Sequence, residues 1–164
     1  MQEKEELIAI YNKEGKIVNY KKRKDIDKKK EILKQINIII LDLNNNIFVT
    51  NPKDSIYKEP YGSSASGLLR KNETINGCAK RTLKRELNLN NELILLNEKY
   101  YDFNGIKRIM SVFYFKGNIN LKINNNDIYK GKWLDFNKVE KLINSGKAIP
   151  TFEAAFEVLK NSIR

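Results

Sequence analysis

Residues 67–89 read GLLRKNETINGCAKRTLKRELNL. Within them Ile75, Ala79, Leu83 and Leu87 recur every fourth position. That spacing stacks them on one face of a helix, so residues 76–87 are expected to be helical with this face against a sheet. Asn88, with Asn90 and Asn91 behind it, suits the helix end, because Asn tolerates the left-handed conformation found there. Cys78 lies on the apolar side of the helix and reads as buried packing. Residues 63–69, SSASGLL, are small and suit a strand that packs closely on the helix.

Outward from this core the chain alternates short apolar bursts with turn residues. Residues 7–11 and 16–20 form an expected hairpin around Asn12–Gly15. Residues 21–34 carry the densest basic run: Lys21, Lys22, Arg23, Lys24, Lys28, Lys29, Lys30 and Lys34 against Asp25, Asp27 and Glu31. It reads as a solvated helix or loop, with a phosphate-facing stripe as the sharper alternative. Residues 35–43 are an Ile-rich buried strand, and 47–50 return from the Asn44–Asn46 turn. Residues 52–62 are a loop. Residues 92–102 and 107–116 flank Asn104-Gly105, a strong hairpin signal. A strand at 127–134, a helix at 136–144 and a last helix at 151–163 follow. The last helix sets Phe152, Ala155, Phe156, Leu159 and Ile163 on one face. These elements predict an α+β fold, an α/β/α sandwich around a mixed sheet. With no repeat and no linker, residues 1–164 are expected to be one domain.

Composition narrows the chemistry. The single cysteine rules out an internal disulfide framework, and the chain has no histidine. His-ligated zinc, Ser-His-Asp and Cys-His catalysis and any histidine base are therefore excluded. Ser63, Ser64 and Ser66 lack an activating base and read as small packing residues. Trp133, Phe136, Tyr100 and Tyr101 read as core or rim, with nucleobase stacking as the alternative. The net charge is +11. It fits a Lys-rich solvating surface or an anionic partner such as RNA. No stretch approaches the roughly 20 apolar residues of a membrane span. The start, MQEKEELIAIY, lacks the features of a secretory signal. A cytoplasmic location is the expectation.

Gly67-x5-Glu73-x7-Arg81-x-Leu83-x-x-Glu86-x-x-Leu89 resembles the Nudix box, G-x5-E-x7-R-E-U-x-E-E-x-G-U with U aliphatic. Residues 6–11, residues 59–62 and the acidic-then-Trp stretch 127–133 are similar to the isopentenyl-diphosphate isomerase-like branch of that family. The resemblance implies a Nudix fold, a Mg²⁺ or Mn²⁺ cofactor and a small diphosphate-containing ligand. In the family, glutamates on the box helix hold a metal that neutralises pyrophosphate oxygens and activates water. Gly67, Leu83 and Leu89 are its structural positions.

This chain departs from the pattern where the metal would sit. Thr82, Arg85 and Glu86 stand where the family has three glutamates. The expected metal ligands reduce to Glu86 and Glu73, with Asp127 as a further ligand or base, and such a site should hold metal weakly. Pairing of Glu73 and Glu86 with Arg81 or Arg85 is the purely structural alternative. In a metal-free site, Arg81, Arg85 and Lys84 would meet phosphate directly, since guanidinium matches phosphate in a bidentate way. Isomerase activity is not expected, because the isomerases of that branch use histidine. The loop 51–54 lacks the usual basic residue, for which Lys53 or Lys58 would substitute in part.

Three outcomes stay open. One is weak or absent hydrolysis of a nucleoside-diphosphate-type substrate at a degenerate site. Another is a divergent active hydrolase using Glu73, Glu86 and Asp127. The last is a non-catalytic phosphate- or RNA-binding or scaffold module. The Ile-rich strands leave a homodimer open as well.

Overall fold

The structure, a computed structural model, describes residues 6–57 and 60–163; Lys58 lies outside them. The central strand of the sheet is rich in isoleucine. β1 (Leu7–Tyr11) and β2 (Ile17–Lys22) form an antiparallel hairpin. Its turn is closed by Asn12 Oδ1, which accepts from the amides of Glu14 and Lys16 at 3.1 and 3.0 Å. β3 (Ile32–Leu41) then runs through the middle of the sheet. Along one edge it meets β1 at its start, β5 (Ala65–Leu68) midway and β4 (Ile47–Pro52) at its end, all antiparallel. Along the other edge it pairs in parallel with β7 (Ile106–Lys116), from Leu33↔Arg108 to Leu41↔Lys116. β6 (Ile94–Phe103) adds to β7, and β8 (Ile128–Leu134) adds to β4, both antiparallel.

The near-continuous apolar run of β3 follows from burial on both faces. Ile36, Ile38 and Ile40 pack with Cys78, Ala79, Leu83 and Leu87 of α1 (Ile75–Leu87). Ile39 and Leu41, on the other face, pack with Phe152, Ala155, Phe156 and Leu159 of α3 (Pro150–Ser162), beside α2 (Phe136–Asn144). The result is the expected α/β/α arrangement around a mixed sheet. Thr74 Oγ1 caps α1 by accepting from the Gly77 amide at 3.0 Å, and Asn88 ends it at φ 56°. Asn104 and Gly105 take positive φ of 54° and 94°, as the 6–7 hairpin requires.

Two expectations change. The basic run at 21–34 is not a helix: β2 continues to Lys22, a 3-10 turn spans Arg23–Asp25, and β3 starts at Ile32. Pairing of Tyr11 and Ile10 with Ile32 and Leu33 draws these residues into the sheet. Ile163 is exposed, because α3 ends one residue before it.

Candidate functional site

Side chains alternate across a strand, so one face of the sheet carries Leu33, Gln35 and Asn37 of β3. Residues directly opposite share that face: Arg108 of β7, and Leu68 and Ser66 of β5. Over them opens a cleft of about 390 Å³. Arg23 and Lys28 reach it from the basic segment, Tyr57 from the loop after β4, and Ile149 and Thr151 from the start of α3. α1 packs on the opposite face, but its last turn reaches past the short β5. The Ser66 amide donates to Glu86 Oε1 at 3.3 Å, and Arg85 and Glu86 both line the cleft with Asp127.

At this end the carboxylates enclose a guanidinium. Arg85 Nη2 donates to Glu86 Oε2 at 2.9 Å, and Arg85 Nε lies 3.7 Å from Asp127 Oδ2. Asn124 Nδ2 steadies the arrangement, donating to Asp127 Oδ2 at 2.9 Å and to the Arg85 carbonyl at 3.1 Å. Glu86 is only 6% exposed. Burial pushes its carboxyl up to about 7, against the downward pull of Arg85 and the Ser66 amide.

Glu73 sits elsewhere. Arg81 grips it through Nε and Nη2 at 2.7 and 3.0 Å and also donates to the Leu68 carbonyl at 3.2 Å. The Arg70 amide donates to Glu73 Oε1 at 3.2 Å. Burial raises Glu73, yet the Arg81 bonds and this amide outweigh it and hold the carboxyl below its ordinary value. This bidentate clasp ties the loop after β5 to α1. Neither residue lines the cleft, and Lys84 is exposed outside it. Of the residues singled out from sequence, the fold brings together Glu86, Asp127 and Arg85, and keeps Glu73, Arg81 and Lys84 apart from them.

The structural box positions have a steric basis. A Cβ on Gly67 would lie 2.4 Å from Thr82 Oγ1, so only glycine lets α1 approach β5 this closely. Leu83 and Leu89 are buried in the α1 core. The aromatic candidates lie outside the cleft. Trp133 packs on Phe48 at 5.2 Å, Phe136 on Phe156 at 5.4 Å and Tyr101 on Phe103 at 5.4 Å. Lys53 covers the Tyr129 ring at 5.0 Å. Ser64 is structural: its hydroxyl donates to the Phe48 carbonyl and accepts from the Ile40 amide. Ser63 lines the cleft, and its buried Oγ has no hydrogen-bond partner among the described residues.

Sequence reasoning missed Arg108. It is 4% exposed, and its guanidinium donates to the carbonyls of Lys28 and Lys107 at 2.8 Å each and of Glu31 at 3.4 Å. Burial lowers its pKa from the ordinary value. The signal was an arginine beside the apolar Ile109-Met110 of a strand. Among the described residues, no helix is long and apolar enough to cross a membrane.

No family model matches the chain, and no curated protein does. Solved structures do. A Deinococcus radiodurans protein superposes with a TM-score of 0.78 at 19% identity, covering 96% of this chain and 99% of its own. The NUDIX domain of Shewanella oneidensis NrtR, solved in complex with ADP ribose, gives 0.67 at 10% identity, covering 86% and 96%. A C. elegans Ap4A hydrolase in a binary complex gives 0.59 at 14%, covering 79% and 96%. The chain has the Nudix fold.

Proposed function

We propose that this Nudix-fold chain binds a small diphosphate-containing ligand in the cleft and hydrolyses it weakly or not at all, because an internal cation stands where a metal would be held. The observation that carries this is the Arg85 guanidinium set between Glu86 and Asp127 at 2.9 and 3.7 Å. A divalent cation needs several hard oxygen donors free to converge on it. Here two carboxylates converge on a guanidinium instead, Glu73 is committed to Arg81, and no group of three Asp, Glu, His or Cys among the described residues is arranged to hold a metal. The donor set does not fit Mg²⁺ or Mn²⁺. Thr82, the other departure from the box, is fully buried against Gly67 and offers no carboxylate.

The likeness to a NUDIX domain solved with ADP ribose supports the ligand class, as do the cationic residues of the cleft. ADP ribose is therefore the first ligand to titrate, by calorimetry in EDTA. Binding is expected without metal, and turnover with Mg²⁺ or Mn²⁺ should not exceed background. Arg85→Glu adds a third carboxylate beside Glu86 and Asp127 and should create measurable Mn²⁺ binding. Metal-dependent turnover by the wild type that Glu86→Gln abolishes would overturn the proposal in favour of a divergent active hydrolase.

A further inference from the structure

The charges of the cleft are unevenly placed. At the box-helix end, one guanidinium, Arg85, faces two carboxylates, Glu86 and Asp127. A phosphate gains nothing from an end whose fixed charges sum to no excess of cation. At the other end Arg23, Lys28, Arg70 and Arg108 line the cleft with, among the described residues, Glu6 and Asp54 for acids. Asp54 is shared by Arg23 at 3.1 Å and Lys28 at 2.6 Å, and Glu6 is shared by Arg70 and Arg23. Among the described residues four cations stand against two carboxylates, and the Arg108 guanidinium hydrogen-bonds to backbone carbonyls and to neither of those carboxylates.

Register explains how Arg108 and Arg70 come to line the same end of the cleft. Arg108 pairs with Leu33 on one side of β3. On the other side the Leu69 amide donates to the Lys34 carbonyl at 3.0 Å, which sets Arg70 next to the same stretch of β3. Just beyond, Arg70 pairs with Ile8 of β1, and both side chains line the cleft. Arg70 Nε, like Arg85 Nε at the box-helix end, is buried with no hydrogen-bond partner among the described residues, an N–H that an incoming anion can satisfy; the excess of cations is what distinguishes this end. This end lies four residues of β3, roughly 13 Å, from the level of Asn37 and Ser66, where Glu86 is held.

We propose that the phosphoryl groups of the ligand dock between Arg108 and Arg70, beneath Arg23 and Lys28, and not at the box helix. The inference rests on the cleft being a diphosphate site and specifies which end takes the anion. The basic run at 21–34 thereby acquires a role, since it supplies Arg23 and Lys28, and Arg108 holds it in place through the carbonyls of Lys28 and Glu31. Guanidinium groups recognise phosphate without metal, so this placement removes the need for the missing carboxylates.

The test is calorimetric titration of inorganic pyrophosphate, and separately of ADP ribose, in EDTA at low salt. Wild type should bind pyrophosphate with an affinity that falls as salt rises. Arg108→Met should lose at least tenfold, more than Arg85→Met loses, and Arg108→Lys should retain part of the affinity. Asp54→Asn, which removes a competing carboxylate at an exposed position, should tighten pyrophosphate binding severalfold. A gain cannot come from misfolding, so that variant decides the matter if Arg108→Met melts early. ADP ribose binding that Arg108→Met and Asp54→Asn leave unchanged, or that Arg85→Met alone abolishes, overturns this placement and leaves the proposed function standing. Wild type that binds neither probe overturns both.

Discussion

Replacing Glu86 by Gln should flatten the pH dependence of stability between about pH 5 and pH 8. The chain has no histidine, so few side chains are available to titrate in that window. Glu86 is one that does, because burial lifts its carboxyl from 4.5 to about 7. A folded-state pKa above the unfolded value means that the contribution is fully present below pH 4.5 and is lost as pH rises through about 7. Taking those two values, the loss between pH 5 and pH 8 is about 2–3 kcal/mol. For a domain of this size that lowers Tm by about 5–10 °C. Gln keeps the acceptor for the Ser66 amide but cannot ionise, and Arg85 retains Asp127. Thermal melts followed by circular dichroism at matched ionic strength would show a falling Tm in wild type and a nearly level one in Glu86→Gln. An equal slope in both proteins would refute the assignment of the titration to Glu86.

Gly67→Ala should cost about 1–3 kcal/mol by overpacking, since the new Cβ meets Thr82 Oγ1 at 2.4 Å. Adding Thr82→Ala should recover most of it, as urea midpoints of the single and double variants would show. Arg81→Met strands a mostly buried Glu73 and should destabilise by about 1–3 kcal/mol, while calorimetry should find pyrophosphate affinity unchanged because the clasp lies outside the cleft. Cys78 is fully buried, and burial pushes its thiol up to about 11. Its labelling by a disulfide reagent should therefore be slow and follow global unfolding; rapid stoichiometric labelling of native protein would contradict the packing of α1. The same thiol should cost stability as pH rises from about 9 towards 11.

What the sequence determined by itself was everything carried by short-range pattern. The four-residue spacing of Ala79, Leu83 and Leu87 specified α1 and its buried face, and Asn88 and Asn104-Gly105 marked where backbone must turn left-handed. The isoleucines of residues 35–43 announced a buried strand, which the fold covers on both sides. That Thr82 and Arg85 are not carboxylates was equally plain, because identity at a helical position needs no coordinates to be read.

Tertiary structure alone decided which charges meet. Glu73 and Glu86 look alike along the helix and its loop, yet one is locked to Arg81 and the other turns into the cleft around β5. Nothing in the sequence singled out Arg108, which its pairing opposite Leu33 sets on the cleft face of the sheet. Glu6, Arg23, Asp54, Arg70 and Arg108 are scattered over a hundred positions of sequence. They become neighbours only when β3 has taken β1, β5 and β7 as partners. A pattern of period 2 or 3.6 records which face a residue takes, but not which distant residue shares it. The balance of charge in the cleft is therefore a property of register.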